Sequence, residues 1–334
     1  MFNVGIIGCG HIAEQMAETV RDTEGVMLYA VASRDRAKAE AFGKKWRAEK
    51  CYGSYDDLFN DENVSLVYIA TITSLHKDHM IAALKAGKPV LCEKSFTVNR
   101  AEAEEVFALA KEKNLYVAEA IWTRYMPSRT LINSIIDSGT IGRVTSITAN
   151  LGYTISKKPR IEHPEMGGGA MLDISVYPIN FALMALKDGK IREIGGLCVK
   201  NALGADIRET MDAIAEDGVA ISMFTDTETL SDRKGIIYGT EGRIEVDNVN
   251  NPLKIEVFTY EGRVVTKKEE HNLKHASTGF EYELLEAVEA IREGCTESRS
   301  MPWQTTLDVL SLMDSYRALW GVRLGSECRE GRLS

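Results

Sequence analysis

The sequence predicts an α/β fold in two parts, a parallel sheet wrapped by helices followed by an antiparallel sheet with one covered face. Three observations carry this. Apolar runs alternate with helix-period segments over the first 120 residues. After about residue 140 the runs become alternating and are separated by Gly, Asn or Asp turns. A length of 334 residues suits two domains at about 100–200 residues each. The boundary is set at residue 120, giving domains 1–120 and 121–334.

The elements follow in order. "FNVGII" (2–7) is a continuous apolar run, as expected for a strand buried on both faces. Ala13, Met16, Ala17 and Val20 then line one helix face. "VMLYAVA" is the second strand, and Ala37 to Lys45 the second helix. "SLVYIAT" is a strand, followed by the helical "HMIAALKAG" with Gly87 as its stop. "PVLCE" is a strand, Ala103, Val106, Phe107 and Ala110 mark a helix, and "LYVAEA" closes the series. The later strands are "RVTSITANLGY", "GVAISMF", "RKGIIYG", "RIEVDN", "LKIEVFTY" and "RVVTKKEE". Two helices end the chain, one with Phe280, Leu284, Val288 and Ile291 on a face, the other with Leu307, Leu310 and Met313. The tail "GSECREGRLS" is expected to fray.

Bulk composition narrows the class. Hydrophobic residues are 44% and charged residues 27%, ordinary for a protein with a real core. The net charge of −9 argues against a nucleic-acid partner. No apolar run approaches the roughly 20 residues that span a bilayer. "MFNVGIIGCG" has neither a basic n-region nor a cleavage site, so a cytoplasmic location is expected. The six cysteines contain no C-x-x-C and suit reduced thiols. His76 and His79 could share a helix face, but no third ligand accompanies them, and no metal is expected.

"VGIIGCGHIA" places Gly8-x-Gly10-x-x-Ala13 between a strand and a helix. Glycines there let the backbone approach a pyrophosphate at the positive helix N-terminus, which points to a dinucleotide. An NAD-preferring site usually carries an acid after the second strand; here Ser33 and Arg34 stand there. A hydroxyl and a guanidinium suit a 2′-phosphate, so NADP is expected over NAD. Asp35 opposes this, because a small register shift would bring a carboxylate to the ribose.

"VLCEKS" ends the fourth of these strands with Glu93 and Lys94, at the sheet edge where ligands of parallel sheets bind. In "GGGAMLDISVYP", Asp173 and Tyr177 are four apart and share a helix face. Tyrosine can move the hydroxyl proton in a hydride transfer, but its unperturbed pKa is about 10. A nearby ammonium favours the phenolate, so Lys94 and Tyr177 form a candidate pair, with Asp173 orienting substrate or holding the lysine. The alternative is a helix start with a buried tyrosine and a capping acid. The glycines before them are read as letting the loop pass close to cofactor or substrate.

At these residues the sequence resembles the Gfo/Idh/MocA family (glucose–fructose oxidoreductase, inositol dehydrogenase, rhizopine catabolism) over essentially the whole chain. The shared marks are "GIIGCGHIA", "TSLHKDHMIAALKAGKPVLCEKS", "GGGAMLDISVYP" and "IIYGTEGRIEV". "EAIWTRYMPS" and Tyr177 are most similar to the dimeric dihydrodiol dehydrogenase and D-xylose dehydrogenase branch; many other members carry histidine at the tyrosine position.

The resemblance implies an N-terminal Rossmann domain for dinucleotide binding and a C-terminal α+β domain for substrate binding and oligomerisation. The latter has a large, mainly antiparallel open sheet, often a dimer interface. The resemblance makes Lys94 and Tyr177 catalytic and Asp173 part of the substrate site. It puts Trp122 and Arg124 on the cofactor, and Ser74 and His76 in the loop beside the nicotinamide ribose. Gly8, Gly10, His11, Ile12, Ser33, Arg34, Thr71, Glu93 and Lys94 complete the expected cofactor contacts. The family usually has proline after the lysine, often with a cis peptide; here Ser95 follows, leaving a cis or a trans bond open.

The expectation is an NADP-dependent dehydrogenase or reductase, with NAD as the alternative cofactor. It acts on a secondary alcohol or hemiacetal carbon of a sugar, cyclitol or cyclic diol, and assembles as a homodimer or higher homo-oligomer. The rival readings are a redox-neutral NAD-dependent glycosidase and a non-catalytic NAD(P)-binding regulator. Lys157, Arg160 and His163 in "YTISKKPRIEHPE" are read as solvated loop charges.

Overall fold

The computed structural model describes residues 1–330. It divides into two compact units: Met1–Tyr125 with His275–Leu307, and Met126–Lys274 with the chain from Asp308 onward.

In the first unit six parallel strands, β1 (Phe2–Ile7), β2 (Val26–Ala32), β3 (Lys50–Tyr52), β4 (Leu66–Ile69), β5 (Val90–Glu93) and β6 (Val117–Ala120), lie in the order β3-β2-β1-β4-β5-β6. Their apolar runs are continuous because helices cover the sheet: Val4, Ile6, Leu66, Val67, Val90 and Leu91 are fully buried. Met16, Ala17 and Val20 of helix His11–Asp22 join that core as their spacing predicts. So do Leu284, Ala287 and Val288 of helix Glu281–Arg292. The chain therefore returns to the first unit at residues 275–307, a segment the sequence reading placed with the second domain. The apolar face of helix Glu281–Arg292 is buried against the parallel-sheet core, a long-range pairing that periodicity does not specify.

The second unit is built on β7 (Val144–Gly152), β8 (Ile191–Lys200), β9 (Asp206–Ala215), β10 (Ala220–Asp226), β11 (Gly235–Gly239), β12 (Gly242–Val246), β13 (Lys254–Glu261) and β14 (Val264–Asn272). Their order is β14-β13-β12-β11-β7-β10-β9-β8; only the β7–β10 pairing is parallel. Side-chain alternation sorts the two faces. Ile147, Ile221 and Ala213 are buried on one face, while their neighbours Ser222 and Asp212 are exposed on the other. Sequence reading missed the three-residue β3 of the first unit and, here, β8 and β9. Gly195 and Gly196 interrupt the pattern of β8, and the acids of β9 obscure the inward row Met211, Ala213, Ala215. Helix Val176–Ala185 is apolar apart from Tyr177 and Asn180, and all its residues are buried. No helix among the described residues is long and apolar enough to cross a membrane.

Gly8 is the position where backbone geometry is most demanding. Its φ is +87°, and a Cβ there would sit 2.7 Å from the Ala70 carbonyl oxygen. Gly8→Ala should cost about 1–3 kcal/mol. Calorimetry should record a melting temperature several degrees lower; an unchanged value would contradict this account of the turn.

Candidate active site

Because β1, β2, β4 and β5 are parallel, the residues that follow them emerge on one edge of the sheet. Gly8 follows β1, Ser33 and Arg34 follow β2, Thr71 follows β4, and Glu93 and Lys94 end β5. The strand order reverses between β1 and β4, the place where such sheets leave a crevice. Helix His11–Asp22 starts at Gly10 with no side chain capping its first N–H groups. A Cβ on Gly10 would meet nothing within 4 Å, and His11 is exposed while Ile12 packs against the core. The first-turn acid Glu14 is paired with Lys45 at 2.7 Å. An open helix N-terminus behind two glycines fits a pyrophosphate.

At the end of β2 the carboxylate of Asp35 is already in use. Its Oδ1 accepts from the Ala37 and Lys38 amides at 3.0 and 3.3 Å, capping helix Arg36–Trp46. Ser33 is buried and accepts from the Asp35 amide. Arg34 is exposed and lies beside the Tyr55 hydroxyl, whose pKa is raised by burial against the influence of the guanidinium.

Around Lys94 the structure adds partners that sequence reading missed. The Lys94–Ser95 peptide is cis. His76 is only 1% exposed; its Nδ1 lies 3.0 Å from the Ser95 carbonyl and its Nε2 3.1 Å from the Thr71 carbonyl. It is therefore packed inside the first unit between two loops, and burial lowers its pKa. Ser74 lies in the short helix Thr73–Leu75 before it, half-buried. Glu93 accepts from the Tyr68 hydroxyl and from the Lys94 amide. Glu119 accepts from the Phe96 amide at 3.0 Å and from Thr306 at 3.2 Å. Glu283 is fully buried beside both acids, and burial followed by their charges pushes it well above the ordinary carboxyl range. Glu93 was among the expected cofactor contacts; an acid within an otherwise apolar parallel strand was the available signal for Glu119.

Trp122 stacks on Phe280 with ring centroids 4.7 Å apart, and Arg124 is 1% exposed, with its charge close enough to favour ionised Glu119. Of the two residues expected on the cofactor, Arg124 is thus an interior side chain of the first unit.

In the second unit Asp173 falls in a π-helical turn, Met171–Ser175, that leads into the helix carrying Tyr177. Tyr177 is 7% exposed. Arg160 donates to Asp173, so this solvent-exposed charge is also a partner of the candidate acid. Gly168 and Gly169, before the turn, are pressed against the chain itself. A Cβ on Gly168 would lie 2.6–2.8 Å from three carbonyl oxygens, and one on Gly169, at φ +115°, would lie 2.3 Å from Asp206 Oδ1. Asp206 accepts from the Met171 amide at 2.6 Å, and Glu209 accepts from Ser175 and Thr225. Buried acids thus anchor the turn that carries Asp173.

These features define a Rossmann-type dinucleotide-binding enzyme with a second unit bearing an acid and a phenol one turn apart. Residues 2–120 match the family described as oxidoreductase family, NAD-binding Rossmann fold, and residues 130–245 match the GFO/IDH/MocA C-terminal domain. The trans-1,2-dihydrobenzene-1,2-diol dehydrogenase of Mus musculus is 30% identical over 336 residues, covering 97% of this chain and 98% of its own. The D-xylose 1-dehydrogenase (NADP(+)) of Hypocrea jecorina is 30% identical over 358 residues, covering 95% and 92%. Among solved structures, a 3-ketoreductase from Actinomadura kijaniata in complex with NADP and TDP-benzene superposes with TM-score 0.86 at 25% identity, covering 95% and 97%. The chain belongs to the Gfo/Idh/MocA family of NAD(P)-dependent oxidoreductases.

Burial raises the Glu119 pKa to about 7 from 4.5, against the hydrogen bonds from Phe96 and Thr306. A raised folded-state value favours folding below the unfolded pKa and loses that contribution as pH climbs through 7. The change corresponds to about 3 kcal/mol. Glu119→Gln, neutral at every pH, should therefore melt progressively higher than wild type between pH 5 and pH 8. A constant gap across that range would show that the carboxyl does not titrate there.

Proposed function

We propose that this protein is an NADP-dependent dehydrogenase or reductase acting on a secondary alcohol or hemiacetal carbon of a sugar, cyclitol or cyclic diol. The observation that carries the reading is Lys94 at the carboxyl edge of the parallel sheet, the same edge that presents the Gly8–Ile12 turn. Two relatives named for oxidation of a diol and of D-xylose support the substrate class.

The bound dinucleotide supplies the hydride acceptor or donor. Gly8, Gly10, His11 and Ile12 hold its pyrophosphate at the helix N-terminus. Arg34, with Ser33, takes the 2′-phosphate; the Oδ1 of Asp35 is committed to capping, which competes with binding of an NAD ribose. Thr71 and Ser74 border the nicotinamide half. Tyr177 takes the hydroxyl proton in oxidation and returns it in reduction. The Lys94 ammonium stabilises the phenolate form of Tyr177, which accepts the proton in oxidation to become the phenol and is regenerated when the phenol gives the proton up in reduction. Asp173, held by Arg160, accepts from a second substrate hydroxyl and sets the reacting carbon. The open face of the eight-stranded sheet, with exposed Leu197 and Val199 near its edge, is the surface for a homodimer.

NADPH formation from a panel including D-xylose and trans-cyclohexane-1,2-diol tests the class. Tyr177→Phe should lower kcat by about 10²-fold or more while NADPH still binds; near-normal turnover removes Tyr177 from the mechanism. Arg34→Ala should raise KM for NADP about 10–100-fold and leave that for NAD unchanged. Equal effects on both cofactors would reject the 2′-phosphate assignment. Light scattering should give twice the monomer mass, and Leu197→Glu should return it to one; a monomeric wild type would reject the dimer.

A further inference from the structure

We propose that His76 and Glu119 are positioning residues that aim Lys94 by gripping both ends of the Ser95–Phe96 peptide. The proposal rests on the reading of Lys94 as catalytic. One end of that peptide, the Ser95 carbonyl, lies 3.0 Å from His76 Nδ1. The other end, the Phe96 amide, donates to Glu119 Oε1 at 3.0 Å. A peptide unit is planar, so holding its oxygen and its nitrogen fixes the plane that contains the Ser95 Cα, one residue from Lys94.

Each clamp residue is itself tied down. His76 also meets the Thr71 carbonyl after β4, and Glu119 also accepts from Thr306. The Phe96 ring stacks on Phe107, which stacks on Trp303, at 4.9 and 5.0 Å. His76, Ser95, Phe96 and Glu119 are all at most 1% exposed, so water cannot substitute for a lost partner. An apolar pair would bury at lower cost but would leave the peptide's two polar ends unsatisfied. Nδ1 is the ring nitrogen that faces the Ser95 carbonyl, so an N–H there reaches the peptide beside the lysine.

The test reads Lys94 directly. Lysines are reductively dimethylated with 13C-formaldehyde, and the Lys94 NMR signal is identified by its loss in Lys94→Arg. The signal should move in His76→Leu and Glu119→Leu and return to its wild-type position in His76→Asn and Glu119→Gln. Asparagine carries a donor where Nδ1 stood, and glutamine keeps the acceptor oxygen. Turnover on the best panel substrate should fall about 10²-fold in the two leucine variants with NADPH affinity retained.

An unmoved signal in both leucine variants overturns the proposal. If those variants fail to fold, His76→Asn and His76→Gln decide, since only asparagine keeps the donor at Nδ1. A wild-type signal in Asn with a displaced one in Gln supports the clamp; identical signals overturn it. Full turnover in Lys94→Met would instead remove the catalytic reading, while the NMR result would still report on the clamp.

Discussion

The carboxyl edge of the six-stranded parallel sheet is the constraint on which the first unit depends. Parallel pairing forces β1, β2, β4 and β5 to end on the same side, so residues far apart in sequence converge there. Gly8 and Lys94 are more than eighty positions apart, yet each leaves its strand on that edge. The helix starting at His11 adds uncapped N–H groups to it. Positive φ at Gly8 and the tight approach to the Ala70 carbonyl show how little space the turn has on the protein side. The open space around Gly10 lies on the other side.

Buried acids are the second theme. Beneath Lys94 lie Glu93, Glu119 and Glu283; beneath the turn that carries Asp173 lie Asp206 and Glu209. Burying a carboxyl is costly unless it is hydrogen-bonded or protonated. Most of these acids accept from backbone amides or hydroxyls of the segments they support: Lys94, Phe96, Met171 and Ser175. Such bonds hold irregular backbone where no helix or strand ladder could. Glu283 has no hydrogen-bond partner among the described residues, and burial beside its two acidic neighbours pushes its pKa well above the ordinary carboxyl range.

Much of this was legible in the sequence. The parallel strands read as continuous apolar runs because both faces are covered, and the Gly8 turn and helix faces followed from spacing. The antiparallel unit was legible as a class but not in full, since β8 and β9 have interrupted patterns. The acid at position 35 illustrates the limit. Sequence put a carboxylate near the cofactor end of β2, and only the folded chain shows it spent on the amides of Ala37 and Lys38. Glycines 167–169 announced a tight loop but not what pressed against it.

By itself the sequence determined the two-part architecture, the dinucleotide turn and the identity of Lys94, Asp173 and Tyr177 as candidates. These rest on local periodicity and on residue chemistry at fixed spacing. Tertiary structure alone decided that residues 275–307 return to the first unit, that Arg160 holds Asp173, and that His76 and Glu119 meet one peptide. Those pairings join residues from about ten to well over a hundred positions apart, and what selects them is the burial of apolar faces and the satisfaction of buried polar groups, neither of which has a period along the chain.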